Sequence, residues 1–277
     1  MLLASIAYGD LRIVAAENFY GDVAVQLGQP YVTVVSILDN PSQDPHLFSA
    51  DPSIAVKIDQ ADMVVENGLG YDSWMDKLYQ AGNHRAVLLT VGMLMDKKSG
   101  MNPHIWYDPR TMPTFARALV VQLCARDPQH ATYYQQQLAI FIEQAYLYQE
   151  DVDWLRQRVA GQTVTATEPI AGYLTEALNL KMLNVALQWR MMNGADLSPQ
   201  EIVQFERSLT TQRVRLLIYN RQVTNPTTTQ LMNLAIQKGI PVVGVTETMP
   251  AGVHYWGWMR SQLDMLAQAF GTEVVHD

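Results

Sequence analysis

Residues 11–37 decide the fold: LRIVAA (11–16), then ENFYGDVAVQLG (17–28), then YVTVVSI (31–37). The first and third pieces are short, nearly continuous apolar runs rich in β-branched residues, which read as buried strands. Between them the apolar residues recur at helical spacing, and Gly28 closes the run. Strand, helix, strand over so short a stretch is a βαβ unit, and its strands must lie parallel. The pattern continues outward. ADMVVENG (61–68) is a third strand ending in a Gly turn, YDSWMDKLYQAG (71–82) a short helix, and RAVLLTV (85–91) a fourth strand.

The middle of the chain breaks this alternation. From Asp127 to about Ala160 there is no strand signal, and Asp127-Pro128 offers an N-cap followed by Pro at the first helical position. Some thirty helical residues would make a rod of roughly 45 Å, long for a globular helix and suited to a strut between two lobes. Alternation then resumes: strand TVTAT (163–167), helix PIAGYLTEALNL (169–180), helix SPQEIVQFERSLTTQ (198–212) with Ser198 as N-cap, strand VRLLIYN (214–220), helix NPTTTQLMNLAIQKG (225–239), strand IPVVGVTE (240–247), and a last helix from His254 to Phe270. The expected fold is α/β: two parallel-sheet lobes, 1–126 and 161–277, joined by one long helix over 127–160, with a ligand site in the cleft between the lobes.

Composition narrows the class. The chain has 277 residues, 48% hydrophobic and 17% charged, which describes a packed globular protein able to bury a sizeable core. A net charge of −8 with no Lys/Arg run argues against a nucleic-acid partner. The single cysteine excludes an internal disulfide. It lies in ARALVVQLCAR (116–126), a helix pattern, where Cys124 is expected as a small core residue. No stretch approaches the ~20 apolar residues needed to span a bilayer. MLLASIAYGD (1–10) is apolar and ends in small residues, like the tail of a secretory signal without its basic start.

Two segments echo each other: Asp44-Pro45-His46-Leu47-Phe48 followed by Asp51-Pro52, and Asn102-Pro103-His104-Ile105-Trp106 followed by Asp108-Pro109. Each sets a histidine behind a proline, in a stiffened loop, and then supplies Asp-Pro to start a helix. Rigidity of that kind suits a metal ligand. A lone histidine would more often just satisfy a local hydrogen bond, but the duplication favours a shared role. In the second half, Glu168 follows strand TVTAT and Glu247 follows GIPVVGVT. A carboxylate at the end of a buried strand is costly unless paired, hydrogen-bonded or bound to a cation, although each could alone serve a helix start. Together His46, His104, Glu168 and Glu247 form an N2O2 set suited to Mn, Fe or Zn, placed where open α/β sheets bind ligands. No nucleophile elbow, P-loop or dinucleotide fingerprint occurs. Tyr71, Trp74, Trp106, Tyr173, Tyr255 and Trp258 read as core or cleft wall; His84, His130, His254 and His276 read as surface or helix-end residues, His254 being a possible spare ligand.

The segments AAENFYGDVAVQLG, SILDNPSQDPHLF, ADMVVENGLGYDSWM, NPHIWYDP, TEPIAGYL, IYNRQVTNPTTTQL and GIPVVGVTET together resemble the metal-binding solute proteins of bacterial zinc and manganese ABC importers, the TroA-like group. The likeness covers nearly the whole chain. It implies capture of one divalent ion, Zn2+ or Mn2+, in the periplasm by a monomer, delivery to an ABC permease in the membrane, and no catalytic turnover. By position it assigns His46, His104, Glu168 and Glu247 as ligands. Glu168 looks like the manganese-type members; Glu247 stands where Asp is more usual; and VGMLMDKKSGMNPH (91–104) lacks the His-rich loop of many zinc members. A metal-dependent hydrolase would need an open coordination position beside an acid or base. A binder of an organic solute would use the Trp and Tyr residues of the same cleft.

Overall fold

The computed structural model describes residues 10–41, 48–195, 197–211, 214–223 and 225–274. They divide into two compact units. The first comprises residues 10–40, 48–103 and 110–144; the second comprises Pro41, 104–109 and the described residues of 145–274.

In the first unit, β1 (Leu11–Glu17), α1 (Asn18–Gly28) and β2 (Val32–Leu38) form the βαβ unit. Then come α2 (Pro52–Asp59), β3 (Met63–Glu66), α3 (Ser73–Ala81), β4 (Val87–Thr90), the single turn α4 (Val91–Leu94) and α5 (Thr111–Arg126). The strands pair in the order β2-β1-β3-β4, all parallel, with Ile13 opposite Val34 on one side and Met63 on the other. Four consecutive β1 residues, Ile13 to Ala16, are apolar and buried, as expected where helices cover both faces. Val14, Ala16, Ile54, Ile58, Val64, Met75 and Ala86 pack into one core on one side of this sheet.

Helix α6 (Ala131–Val159) contributes residues 131–144 to the first unit and 145–159 to the second. The second unit continues with β5 (Thr163–Ala166), α7 (Gly172–Ala177), β6 (Lys181–Leu183), α8 (Val185–Met192), α9 (Pro199–Thr210), β7 (Leu217–Asn220), α10 (Pro226–Gln237), β8 (Val242–Val245) and α11 (Tyr255–Ala269). Its parallel sheet runs β6-β5-β7-β8, the same order of connection as the first. Leu187, Phe205, Leu209, Leu217, Leu231 and Ile240 form its apolar centre. The expected fold class, two parallel-sheet lobes and a long helix, is therefore present.

Local chemistry explains the element boundaries. Asp51 caps α2 by accepting Ser53 N at 2.8 Å, with Pro52 at its first position. Ser198 and Glu201 close a reciprocal capping box on α9; Asn225 and Thr228 do the same on α10. Two caps read from the sequence fail. Asp108 ends a 3-10 turn (Ile105–Tyr107), and α5 starts only at Thr111. Asp127 precedes a 3-10 turn (Pro128–His130), and its carboxylate is taken chiefly by the His130 ring at 2.6 Å and the Tyr134 hydroxyl at 2.6 Å. Helix α7 is shorter than its pattern because Asn179 turns left-handed (φ 53°), which frees Lys181–Leu183 to join the sheet as its edge. A three-residue edge strand with an exposed Lys carries no alternation to read, so β6 and α8 were not foreseen. Cys124 sits on α5 as expected but is half-buried at its edge, not in the core. Among the described residues no helix is long and apolar enough to cross a membrane.

Candidate metal centre

The second unit brings three of the four candidate ligands together. Glu168 stands two residues beyond β5 and Glu247 two residues beyond β8; both are buried, at 2% and 0% exposure. Between them in the sheet lies β7, whose last residue is Asn220, also fully enclosed. The Asn220 side chain donates through one nitrogen, Nδ2, to Glu168 Oε2 at 2.9 Å and to Glu247 Oε1 at 2.6 Å. Its Oδ1 accepts Gln222 N at 3.0 Å, which fixes the sense of the amide: the oxygen faces the backbone, so the NH2 must face the carboxylates.

His104 follows Pro103 and opens the 3-10 turn, with its ring edge-on to Trp106 (centroids 5.2 Å apart). It is fully buried, and its Nε2 lies 3.5 Å from Glu247 Oε1. Two deep contacts hold the turn. Tyr255 donates its hydroxyl to Trp106 O at 2.6 Å, and Tyr107 donates to Thr246 O at 2.7 Å. Burial, then the nearby Glu247 charge, pushes the Tyr107 hydroxyl well above its usual range, so it remains a donor. Trp258 Nε1 bonds Thr246 Oγ1 at 3.0 Å and braces the same loop. The aromatic residues singled out in sequence thus serve mainly as enclosed framework.

Gln222 organises the backbone around Glu247. Its Oε1 accepts Glu247 N at 2.6 Å and Thr248 N at 3.2 Å, while its Nε2 donates to Pro41 O at 2.8 Å and to the Thr248 hydroxyl. Pro41 is the last described residue before the Asp-Pro-His segment. His46 itself lies outside the described residues. Of the other histidines, His254 is exposed just before α11, His84 is exposed, and His130 stacks on Tyr31; His276 is not among the described residues. Among the described residues no group of three or more His, Cys, Asp or Glu is arranged to hold an ion as it stands.

Chemically, two buried carboxylates that share one neutral amide donor make a negative pocket. Ions taken out of water cost several kcal/mol each unless matched by hydrogen bonds or opposite charge, and oxygen donors of this kind are chemically suited to a divalent cation. The sequence reading missed Asn220 and Gln222. Their signal was available: a polar N-R-Q run directly after the apolar strand VRLLIY.

The first unit has its own buried acidic group, also unforeseen. Glu17 ends β1, Glu66 ends β3, and Asp72 precedes α3; all are enclosed. Asp72 accepts Asn67 N at 2.6 Å and Gly68 N at 2.8 Å; Thr90 donates to Glu66 Oε1 at 2.6 Å. Burial, then the charges of Asp72 and Glu66, drives the Glu17 carboxyl well above its usual range, and burial pushes Asp72 up to about 7. Asn67 uses this frame to hold Pro103 O at 3.0 Å, with its own Oδ1 taken by the Tyr20 hydroxyl at 2.7 Å.

Two parallel sheets of identical strand order, with polar residues gathered at strand ends, define a two-lobed α/β ligand-binding architecture. The model of the family described as "Zinc-uptake complex component A periplasmic" matches residues 13–269, and the chain belongs to that family. It is 21% identical over 277 residues to the manganese ABC transporter substrate-binding lipoprotein PsaA of Streptococcus anginosus, covering 93% of this chain and 88% of that one. It is 24% identical over 203 residues to the manganese-binding lipoprotein MntA of Halalkalibacterium halodurans, covering 69% and 65%. The structure of the periplasmic zinc-binding protein TroA from Treponema pallidum superposes with a TM-score of 0.78 at 16% identity, covering 94% of this chain and 99% of that one, which establishes the shared fold.

Proposed function

We propose that this chain captures one divalent transition-metal ion, Zn2+ or Mn2+, outside the cytoplasm and delivers it to an ABC permease. It acts as a binding protein without turnover. The observation that carries the reading is that buried Glu168 and Glu247 meet at the Asn220 amide while buried His104 lies 3.5 Å from Glu247. His46 is the fourth ligand in this reading, supported by its Asp-Pro-His setting, which parallels Asn-Pro-His at His104. Residues 1–126 and 161–277 are read as the two lobes and 127–160 as the linker. The protein works in the periplasm as a monomer, with no nucleic-acid partner; membership of a family described as periplasmic supports the compartment.

The donor set bears on the ion. Two carboxylates and two imidazoles favour a harder ion more than three imidazoles would, which supports Mn2+; yet Zn2+ binds more tightly than Mn2+ at most sites. The transported ion and the ion found after purification can therefore differ. The test is titration of chelator-treated protein with Mn2+ and Zn2+ in parallel, on wild type and Glu168→Ala. One-to-one binding, weakened about 10–100-fold or more in the variant, is expected, since losing a ligand costs at least what losing its outer partner does. A folded wild-type protein that binds neither ion would end the proposal.

A further inference from the structure

We infer that Asn220, oriented by Gln222, is the positioning residue that sets both the affinity and the ion preference of this site; the inference rests on the metal-capture reading above. Three features carry it. First, Asn220 Nδ2 is within hydrogen-bond reach of both candidate carboxylates, at 2.9 and 2.6 Å, so the two groups are registered to each other through one atom. Second, the amide has no freedom to turn over. Its Oδ1 is committed to Gln222 N at 3.0 Å, and the residue sits at the end of a central strand, paired to Val245 and fully buried. Third, Gln222 extends the same control to the backbone, holding Glu247 N, Thr248 N and Pro41 O.

The consequence is chemical. A carboxylate whose oxygen already accepts a bond from Nδ2 offers that oxygen less readily to a metal. The amide therefore limits how the two glutamates can approach an ion, and it resists their separation when the ion leaves. Ions that take few ligands at short distance tolerate such restraint; those that take more oxygen ligands do not, so the residue at this position biases the choice between them. An outer partner of metal ligands also acts on affinity directly, typically by about 10–100-fold.

The experiment uses the full chain, stripped with chelator, and measures dissociation constants for Mn2+ and Zn2+ separately, together with the thermal midpoint of the metal-free protein. The variants are Asn220→Leu, which removes the amide at similar volume, and Asn220→Asp, which keeps the shape and the bond from Gln222 N but replaces the donor by an acceptor. Asn220→Leu is expected to weaken both ions by about 10–100-fold. Asn220→Asp is expected to shift the Mn2+ to Zn2+ affinity ratio toward Mn2+, because it adds an oxygen donor beside the ion. If Asn220→Leu does not fold, Asn220→Asp alone decides. A residue that merely supports the fold would lower the thermal midpoint and leave the ratio at the wild-type value; that result, or wild-type affinities in both variants, overturns the inference while leaving the capture reading intact. Failure of the wild type itself to bind either ion overturns the capture reading and this inference with it.

Discussion

Glu247→Gln should stabilise the metal-free protein while removing its response to metal. The bonds of 2.9 and 2.6 Å to one nitrogen place Glu168 Oε2 and Glu247 Oε1 within about 5.5 Å of each other. At an effective dielectric near 20, two unit charges at that separation repel by about 3 kcal/mol. Glutamine removes the charge and keeps an oxygen for Asn220, at a cost of about 1 kcal/mol for exchanging a charged acceptor for a neutral one. The Glu247 backbone bond to Gln222 is untouched. The balance is a gain of about 2 kcal/mol, or roughly 4–8 °C in melting midpoint for a chain of this size. Metal reverses the advantage. A ligand present at about a thousand times its dissociation constant stabilises by about 4 kcal/mol, and a 100-fold loss of affinity cuts that to about 1.4 kcal/mol. Melting both proteins in chelator and in excess Mn2+ or Zn2+ measures the two effects at once. A variant less stable than wild type in chelator would show that the carboxylates do not strain the metal-free site. A full metal-induced shift in the variant would show that Glu247 is not a ligand.

Two further outcomes follow from parts of the structure away from the ion. Tyr255→Phe removes the buried bond to Trp106 O at 2.6 Å; it should cost about 1–2 kcal/mol in urea unfolding, because a buried carbonyl loses its donor, and a loss below a few tenths would mean that the bond does not brace the His104 turn. Glu17→Gln tests the acidic group of the first unit. Burial raises the folded-state carboxyl of Glu17 above its ordinary 4.5 and that of Asp72 from 3.8 to about 7. A raised carboxyl takes up a proton on folding, so stability is greatest below this interval and falls as pH rises through it, between about 4 and 7 for Asp72 and from about 4.5 upward for Glu17. The glutamine variant should flatten that decline, read as the difference in urea midpoint between pH 5 and pH 8 in chelator. An unchanged difference would refute the role given to Glu17.

Much of this was readable before any coordinates. The strands LRIVAA and VRLLIYN announce themselves because a parallel strand covered on both faces must be apolar throughout, and the helices of 198–210 and 225–237 carry their caps in Ser-Pro and Asn-Pro. What escaped had little local signal. Lys181–Leu183 is a strand only because Leu180 and its neighbours are delivered to a sheet edge by a left-handed Asn179. Asp108 and Asp127 have the composition of helix caps, but tertiary partners claim them: Asp127 goes to His130 and Tyr134, and the turn at 105–107 is fixed by Tyr255 and Tyr107. At the site, the charged residues were visible as strand-end glutamates, whereas the neutral Asn220 that joins them was not. A bridging amide is defined by what it touches, and two segments 52 residues apart in sequence do not advertise their meeting.

The two units also show why buried acid alone does not make an ion site. Both have the same strand order, and both collect carboxyl groups at the ends of parallel strands. In the first unit the local chain resolves the charge. Asp72 is served by two backbone N–H groups and Glu66 by the Thr90 hydroxyl, while Glu17 is driven toward its neutral form. The product of that arrangement is structural: Asn67 is held rigidly enough to fasten the carbonyl of Pro103. In the second unit the two glutamates share a single amide nitrogen, and an imidazole stands 3.5 Å from one of them. A neutral amide shared between two carboxylates supplies hydrogen bonds but no positive charge, and an imidazole nitrogen is a metal donor. The same topology thus yields an acidic brace with raised carboxyl groups in one unit and the proposed ion site in the other, and the difference lies in which donors the strand-end loops supply.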